Sequence, residues 1–257
     1  MRTSLLSIQN LSLSYQHKPI IQNISYSFQQ GRVYALCGAN GCGKSTLLSA
    51  FIGVIKPVNG SITLSGKALS SYSDKQRAQH ISLLSQSHQS ELDLTVRELV
   101  ACGRYCHDEQ EDNPHRQAMI DYAIKRLHLD GLDNSTVGEL SGGQQQRAWI
   151  AMAIAQEAKV LLLDEPTTYL DIRHQIEVLK QVRELSHQTG ITIIWVLHDI
   201  NQASAFSDEI LFLKEGKITY SGTPEEVMQE EILLDIFGVA MPRLTNNNPP
   251  ICLPQYG

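Results

Sequence analysis

The sequence of 257 residues has no long uninterrupted hydrophobic run. Its longest apolar segments are residues 160–163 and residues 191–197, and the second of these contains a threonine. A membrane-spanning helix needs about 20 apolar residues, so neither segment predicts one. The first residues also lack the apolar stretch of a secretory signal, and we expect none. We therefore expect a chain that stays in the cytosol or reaches a membrane only through partner proteins.

Basic residues are outnumbered by acidic ones, and cysteines are few. The formal net charge of -6 disfavours a dedicated nucleic-acid-binding protein, which usually carries a basic excess. The five cysteines are an odd number and predict reduced thiols rather than a disulfide framework. Cys102, Cys106 and His107 lie close together, but they fall short of the four ligands that a structural zinc site normally has. A hydrophobic content of 42% is enough for a sizeable core.

A glycine-rich segment stands between a predicted strand and a predicted helix. Residues 38–46 read Gly-Ala-Asn-Gly-Cys-Gly-Lys-Ser-Thr, which fits the spacing of a phosphate-binding loop. Glycines allow backbone N–H groups to approach phosphate oxygens, and the helix N-terminus adds unpaired donors and a positive dipole end. Lys44 would supply a charge for the outer phosphates and Ser45 a hydroxyl for Mg²⁺. A chance glycine-rich turn is the alternative, and the flanking strand and helix disfavour it.

The rest of the pattern is typical of an α/β protein. Short alternating strands are predicted before residue 36, and a helical block is predicted at about 91–158. The apolar segment 160–163 ends in Asp164 and Glu165, and the segment 191–197 ends in His198. Uninterrupted apolar strands are typical of a parallel sheet, where ligands bind at the carboxyl ends. From residue 241 the chain has no periodicity, and we expect a coil along the surface.

Residues 140–147, which read Leu-Ser-Gly-Gly-Gln-Gln-Gln-Arg, suggest a family. Alone, a serine before two glycines and a helix would be an ordinary N-terminal cap. Together with the loop at 38–46, it makes the chain resemble the ATP-binding subunit of an ABC transporter, from about residue 5 to about residue 240. The resemblance implies an α/β ABC ATPase fold: a P-loop core with a mainly parallel sheet, an N-terminal antiparallel β subdomain and an inserted α-helical subdomain. It implies one domain over 1–240 and a tail over 241–257.

The resemblance also implies a role for individual residues. ATP would be bound by an aromatic residue that stacks on adenine and by the phosphate loop: Tyr15, Gly38, Ala39, Asn40, Gly41, Cys42, Gly43, Lys44, Ser45 and Thr46. Hydrolysis would use a general base, a switch histidine, a loop glutamine and the loop lysine: Glu165, His198, Gln86 and Lys44. Mg²⁺ would be held by Ser45, Gln86 and Asp164. The signature residues that contact ATP in trans would be Ser141, Gly142, Gly143 and Gln144, and Asp171 would lie in a loop at the dimer interface.

The implied assembly is a head-to-tail dimer that holds two ATP molecules between its subunits. Two transmembrane permease subunits would complete an importer on the cytoplasmic face of the membrane, supplied by a periplasmic or surface substrate-binding protein. The amino-acid sequences of several segments resemble those of ATPases from ferric-siderophore, haem and vitamin B12 importers, and most of all those of the ferric-siderophore branch. These segments are 94–100, 103–105, 146–152, 164–171 and 197–203. A haem or vitamin B12 importer therefore stays an alternative.

Two other classes of function compete with an importer ATPase. A non-transport ABC ATPase that acts in cofactor assembly is disfavoured, because the segments just named resemble importer ATPases. A small-molecule kinase would use the same phosphate loop, but the signature at Ser141 and the Asp164–Glu165 pair argue against it. Cys42 lies inside the loop, so we also hypothesise that thiol reagents block ATP hydrolysis and that bound ATP protects.

Overall fold

A computed structural model describes residues 4–85, 93–107, 110–168, 170–245 and 247–255. The strands are β1 (Ser4–Tyr15), β2 (Lys18–Gln29), β3 (Val33–Cys37), β4 (Asn59–Leu64), β5 (Lys67–Ala68), β6 (Ile81–Leu84), β7 (Val160–Asp164), β8 (Thr192–Val196), β9 (Glu209–Lys214) and β10 (Lys217–Gly222). The helices are α1 (Lys44–Phe51), α2 (Asp74–Ala78), α3 (Val96–Cys102), α4 (Pro114–Arg126), α5 (Gly142–Ala155), α6 (Ile172–Thr189), α7 (Ile200–Phe206), α8 (Pro224–Val227) and α9 (Glu230–Phe237).

The N-terminal strands form an antiparallel sheet in the order β2-β1-β4-β5. Strands β1 and β2 have 12 residues each and are longer than the short strands that the sequence predicts. Ile8 and Leu11 are both buried although they lie three positions apart, which breaks a strict alternation. A register shift falls between them, and Asn10 has a φ of 47°. A bulge of this kind adds a residue without ending the strand.

The second sheet has six strands in the order β10-β9-β3-β8-β7-β6. Strand β3 pairs in parallel with β8 and β9, and β7 pairs in parallel with β8 and β6, while β10 is an antiparallel edge. All residues of β3 and β8 are buried, as expected for a sheet covered on both faces. The carboxyl ends of β3, β7 and β8 therefore meet at one edge, which is where the candidate site lies.

Helices α3, α4 and α5 lie between β6 and β7 in the chain, in the block where the sequence predicts helices. Thr95 caps α3 through a reciprocal pair of bonds with Glu98. This is the capping box that the spacing of the two residues predicts. Apolar residues of these helices share one buried cluster with side chains of the parallel sheet, such as Leu161 and Trp195. The helical block is thus packed onto the core through a common apolar interior.

The last part of the chain is paired rather than a plain coil. Arg243 and Cys252 form an isolated antiparallel bridge, and the Leu244 N–H donates to Ile251 O at 2.8 Å. The Asn201 side chain donates to Cys252 O at 3.0 Å and accepts from Cys252 N at 2.9 Å, which fastens the segment to α7. In the described part of the chain, no helix is long and apolar enough to cross a membrane.

Candidate nucleotide-binding and hydrolysis site

The loop after β3 has a backbone that only glycines adopt readily. Gly38 has a φ of 144°, and a Cβ there would lie 2.1 Å from Leu213 O. Gly43 has a φ of 110°, and a Cβ there would lie 2.7 Å from Ile21 Cδ1. The glycines of the motif are therefore required by the conformation of the loop and by its close approach to neighbouring strands.

Helix α1 begins directly after this loop with its first amides uncapped by any side chain. Its N-cap is Gly43, which has no side chain to accept a bond, and the first turn has no acidic residue. The first four N–H groups of a helix have no partner within the helix. Together with the helix dipole, they make this end of α1 a site for a phosphate group.

Lys44 is the first residue of α1 and is only 7% exposed. Its Nζ donates to Gly38 O at 2.8 Å and to Ala39 O at 3.1 Å. The ammonium group is thus held against the inner side of the loop rather than extended into solvent. Phosphate oxygens that approach the loop would meet a fixed positive charge at its centre.

Glu165 and His198 meet at the ends of β7 and β8. His198 Nε2 lies 2.5 Å from Glu165 Oε1, and the Thr168 hydroxyl donates to Glu165 Oε2 at 3.2 Å. Glu165 has a φ of 54°, an uncommon conformation for a residue with a side chain. Strained backbone of this kind concentrates at functional sites. The His198 side chain is 50% exposed, so the pair faces an open cleft.

Asp164 lies beside this pair and close to the loop. Burial raises the pKa of Asp164, and a hydrogen bond from Ser45 opposes that shift. Asp164 Oδ1 is buried and has no hydrogen-bond partner among the described residues. A buried carboxylate oxygen without a donor, next to a serine hydroxyl, suits a hard cation such as Mg²⁺. Among the described residues, no group of three or more His, Cys, Asp or Glu side chains is arranged to hold a metal ion by itself.

Ser141 is the exposed N-cap residue of α5. The Ser141 hydroxyl accepts from Gln144 N at 3.4 Å, and Gln144 Oε1 accepts from Ser141 N at 3.0 Å. Gly142 is exposed, and a Cβ there would meet nothing within 4 Å. Gly143 is buried, and a Cβ there would lie 3.3 Å from His174 Cγ. This helix N-terminus is therefore open toward solvent at Gly142 and closely packed one residue later.

Asp171 is the N-cap of α6. Its Oδ1 accepts from His174 N at 2.9 Å, and its Oδ2 lies 2.9 Å from His174 Nδ1. The bonds from His174 lower the pKa of Asp171. Both oxygens of this carboxylate are thus engaged within the chain.

The structure brings several of the predicted site residues together at one edge of the sheet. The loop at 38–46, Asp164, Glu165 and His198 all follow the ends of parallel strands. Tyr15 is 59% exposed at the end of β1, and Gln86 lies outside the described residues. In the part of the chain that the structure describes, no hydrogen bond or ion pair joins residues 141–144 to the loop.

Sequence analysis missed the residues around the Glu165–His198 pair. A cavity of about 220 Å³ adjoins the pair and is lined by Glu165, Thr167, Thr168, Gln175, His198, Asp199 and Gln202. Thr168 lies only three residues after Glu165. This spacing could have predicted that the threonine hydroxyl reaches the glutamate. Gln175 and Gln202 come from two different helices; Gln202 falls within the segment 197–203 that carries the family resemblance, whereas no periodicity or motif marks Gln175.

The glycine loop, the uncapped helix and the acids at the strand ends define the class of P-loop nucleotide-binding proteins. The chain belongs to the ABC transporter family, because the sequence profile of that family, "ABC transporter", matches residues 21–168. Its parallel sheet, antiparallel sheet and helices form the ABC ATPase fold that the sequence predicts.

Several relatives are similar over nearly their whole length. The petrobactin import ATP-binding protein FpuC of Bacillus anthracis is 40% identical, with 98% of this chain and 93% of that protein covered. The ferric enterobactin transport ATP-binding protein FepC of Escherichia coli is 40% identical, with 90% and 86% covered. A metal-chelate-type ABC transporter solved in an inward-facing conformation is 29% identical, with a TM-score of 0.85 and 99% and 98% covered. A dimeric ATP-binding cassette in a post-hydrolysis state with ADP and Pi is 26% identical, with a TM-score of 0.76 and 85% and 98% covered.

Proposed function

We propose that this chain is the ATP-hydrolysing subunit of an ABC importer that powers the uptake of an iron-siderophore complex. The observation that carries the ATPase part is the contact of Glu165 with His198, 2.5 Å apart, beside the loop that holds Lys44. The cargo is inferred from relatives such as FpuC and FepC, whose names specify petrobactin and ferric enterobactin.

Phosphoryl transfer needs positioning and charge stabilisation rather than covalent chemistry from the protein. The amides of the loop and of α1, with Lys44, would hold the phosphates in line. Glu165 would accept a proton from the attacking water, and His198 would fix the orientation of that carboxylate. Asp164 and Ser45 would hold Mg²⁺, which neutralises charge on the transferred phosphoryl group. Gln86 would belong to the same group, and Tyr15 would stack on the adenine.

The site would be completed by a second copy of the chain. The N-terminus of α5 is open toward solvent at Gly142, and a helix N-terminus of this kind suits the phosphates of ATP bound by the other subunit. We propose a head-to-tail dimer in which Asp171 lies at the interface. Two membrane permease subunits would carry the dimer at the cytoplasmic face, and a separate substrate-binding protein would deliver the cargo.

Two experiments test this function. The purified chain should release phosphate from ATP, and Lys44→Ala should weaken ATP binding about 10-fold to 100-fold, the loss expected for charged hydrogen bonds of about 1.5–3 kcal/mol. Unchanged ATP affinity in that variant would remove the proposed role of the loop. Growth of a deletion strain on single ferric siderophores, haem or vitamin B12 tests the cargo. Loss of growth only on haem, or only under vitamin B12 limitation, would replace the siderophore assignment.

A further inference from the structure

Gln175, on α6, holds the loop that follows Glu165. Its Nε2 donates to Leu170 O at 2.9 Å and to Thr167 O at 3.3 Å. These two carbonyls flank the middle of the loop between β7 and α6. The side chain is half-buried, so its bonds to the loop are shielded from competing water. Gln175 therefore holds the loop at two of its carbonyl groups.

Gln202, in the first turn of α7, binds the other end of the same amide. Gln202 Nε2 donates to Gln175 Oε1 at 2.6 Å. The orientation of the Gln175 amide follows from its partners, because its nitrogen faces two carbonyl oxygens and its oxygen must face the Gln202 donor. We call these two side chains the amide pair. Both line the cavity of about 220 Å³ that also contains Glu165 and His198.

The first turn of α7 is rigidly connected to His198. Asp199, the next residue, caps α7 by accepting from Asn201 N at 2.7 Å and from Gln202 N at 3.1 Å. Gln202 is thus only one capped turn away from the histidine. The C-terminal segment holds the same turn from its outer side through Asn201 and Cys252. A displacement of α7 would therefore move His198 with it.

We propose that Gln175 and Gln202 are positioning residues that set the separation of Glu165 and His198 for hydrolysis. The amide pair joins the loop after Glu165 to the helix after His198. Glu165 and His198 are therefore connected twice, once by their direct contact and once through the amide pair. The loop ends at Asp171, so a change in the loop when a second subunit arrives would reach His198 through the amide pair. This inference rests on the proposed ATPase function.

The energetic reason is the steep dependence of proton transfer on geometry. A general base must lie within hydrogen-bond distance of the proton that it removes, and a misplacement of about 1 Å costs roughly 100-fold in rate. Among the described residues, no hydrogen bond joins the amide pair to the phosphate loop or to Lys44. Its loss should therefore lower kcat and leave nucleotide binding nearly unchanged, whereas a loss of general packing would lower the free energy of unfolding as well.

The test compares Gln175→Met, Gln202→Met and the double variant in the full chain. Methionine keeps the length of the side chain and removes its amide. We expect each single variant to lower kcat ~10–100-fold with KM for ATP within about twofold of wild type. The double variant should be no slower than the slower single variant, because both remove the same connection. Gln188→Met, on an exposed position of α6, is the matched control and should not change kcat.

Two further measurements keep the result interpretable. Gln202→Glu keeps the size and polarity of the side chain, but its ionised carboxylate cannot donate to Gln175 Oε1. It should also lower kcat, and it provides the test in the case that the methionine variants do not fold. Unchanged kcat in the single variants, or additive losses in the double variant, would overturn the inference. Wild type and Glu165→Gln are measured alongside. Absence of ATP hydrolysis in wild type would instead refute the proposed function, whereas normal wild-type hydrolysis with inert amide variants refutes only the amide pair.

Discussion

His198 Nε2 lies 2.5 Å from Glu165 Oε1, so the residues that follow β8 and β7 are in direct contact at the open cleft. An ionised carboxylate can only accept, so the histidine nitrogen must carry the hydrogen of this bond. Hydrogen bonds to a charged group are short and strong, and this one holds the carboxylate against the imidazole. With Thr168 on its other oxygen, Glu165 is oriented from both sides before any substrate arrives.

Glu165→Gln should separate ATP binding from hydrolysis. The amide oxygen can still accept from His198, so the geometry is kept while the basicity is lost. We expect phosphate release to fall at least ~100-fold, the lower range for a general base. ATP affinity should stay within about twofold of wild type. Phosphate release and nucleotide binding are measured on the same preparation, and size-exclusion chromatography with ATP should show an accumulated dimer.

Glu184→Gln is the control for this variant, because Glu184 lies on an exposed face of α6 and pairs with Arg126 at 3.6 Å. It should hydrolyse ATP at the wild-type rate. Turnover of Glu165→Gln at the rate of this control would show that another group accepts the proton.

Local spacing explains why the sequence predicts a phosphate loop and a pair of acids at the end of β7. Their function requires fixed spacing along the chain, as from Gly38 to Ser45. The amide pair has no such signature, because Gln175 and Gln202 are 27 positions apart and meet only when two helices pack. The Asn201–Cys252 contact spans 51 positions, and an isolated bridge leaves no periodicity to detect. The bulge at Asn10 likewise hides the true length of β1. The division into one domain over 1–240 and a tail over 241–257 stays a prediction.

Gly142→Asp should block the assembly of the dimer without disturbing the subunit. A Cβ at Gly142 meets nothing within 4 Å in the chain, and an acid in the first turn of a helix is favourable. A carboxylate at that position would, however, repel the phosphates of ATP bound by the second subunit. In the Glu165→Gln background, we expect Gly142→Asp to abolish the ATP-dependent dimer at wild-type thermal stability. Gly142→Ala, which adds only the methyl group, is the matched control.

An ATP-dependent dimer of undiminished stability in Gly142→Asp would contradict a role for this helix end at the interface. Failure of the Gly142→Ala control as well would point to crowding at the interface rather than to repulsion of phosphate. Analytical ultracentrifugation with and without ATP distinguishes these results.

Because the pKa of Asp164 is raised, we expect ATPase activity to be lost below an acidic pH limit, and we expect that limit to depend on the Mg²⁺ concentration. Burial raises this pKa, so Asp164 binds a proton at a higher pH than an exposed aspartate does. ATPase activity should fall as the pH drops through that raised pKa. Because Asp164 is the proposed Mg²⁺ ligand, Mg²⁺ would compete with the proton for its carboxylate, and more Mg²⁺ should move the limit to lower pH. If the pH limit does not change with the Mg²⁺ concentration, the loss of activity results from protonation of a group other than Asp164.

The same shift has a consequence for stability, with the opposite sign to the usual case of a carboxylate. The folded state binds the Asp164 proton more tightly than the unfolded state, so this group favours folding at low pH and loses that contribution as the pH rises. Asp164→Asn removes the charge, and it should raise the Tm at neutral pH by a few degrees while it abolishes Mg²⁺-dependent hydrolysis. Asp130→Asn, at an exposed position, should change neither.

Cys42 offers a chemical test of access to the loop. It is 8% exposed, and its Sγ lies 3.9 Å from Lys44 Nζ, so a group added to the sulfur would lie beside the lysine. Burial raises the pKa of the neighbouring Cys37 to about 12, so that thiol should stay unreactive. We expect methyl methanethiosulfonate to inactivate the wild-type ATPase slowly, and ATP to protect it by covering the loop. Cys42→Ser should keep its own starting activity under the same treatment.

Cys102 and Cys106 are more exposed, so Cys102→Ser and Cys106→Ser are the controls and should be inactivated like wild type. Equal inactivation of Cys42→Ser would show that the reagent acts outside the loop, and mass spectrometry of the treated protein would identify the thiol.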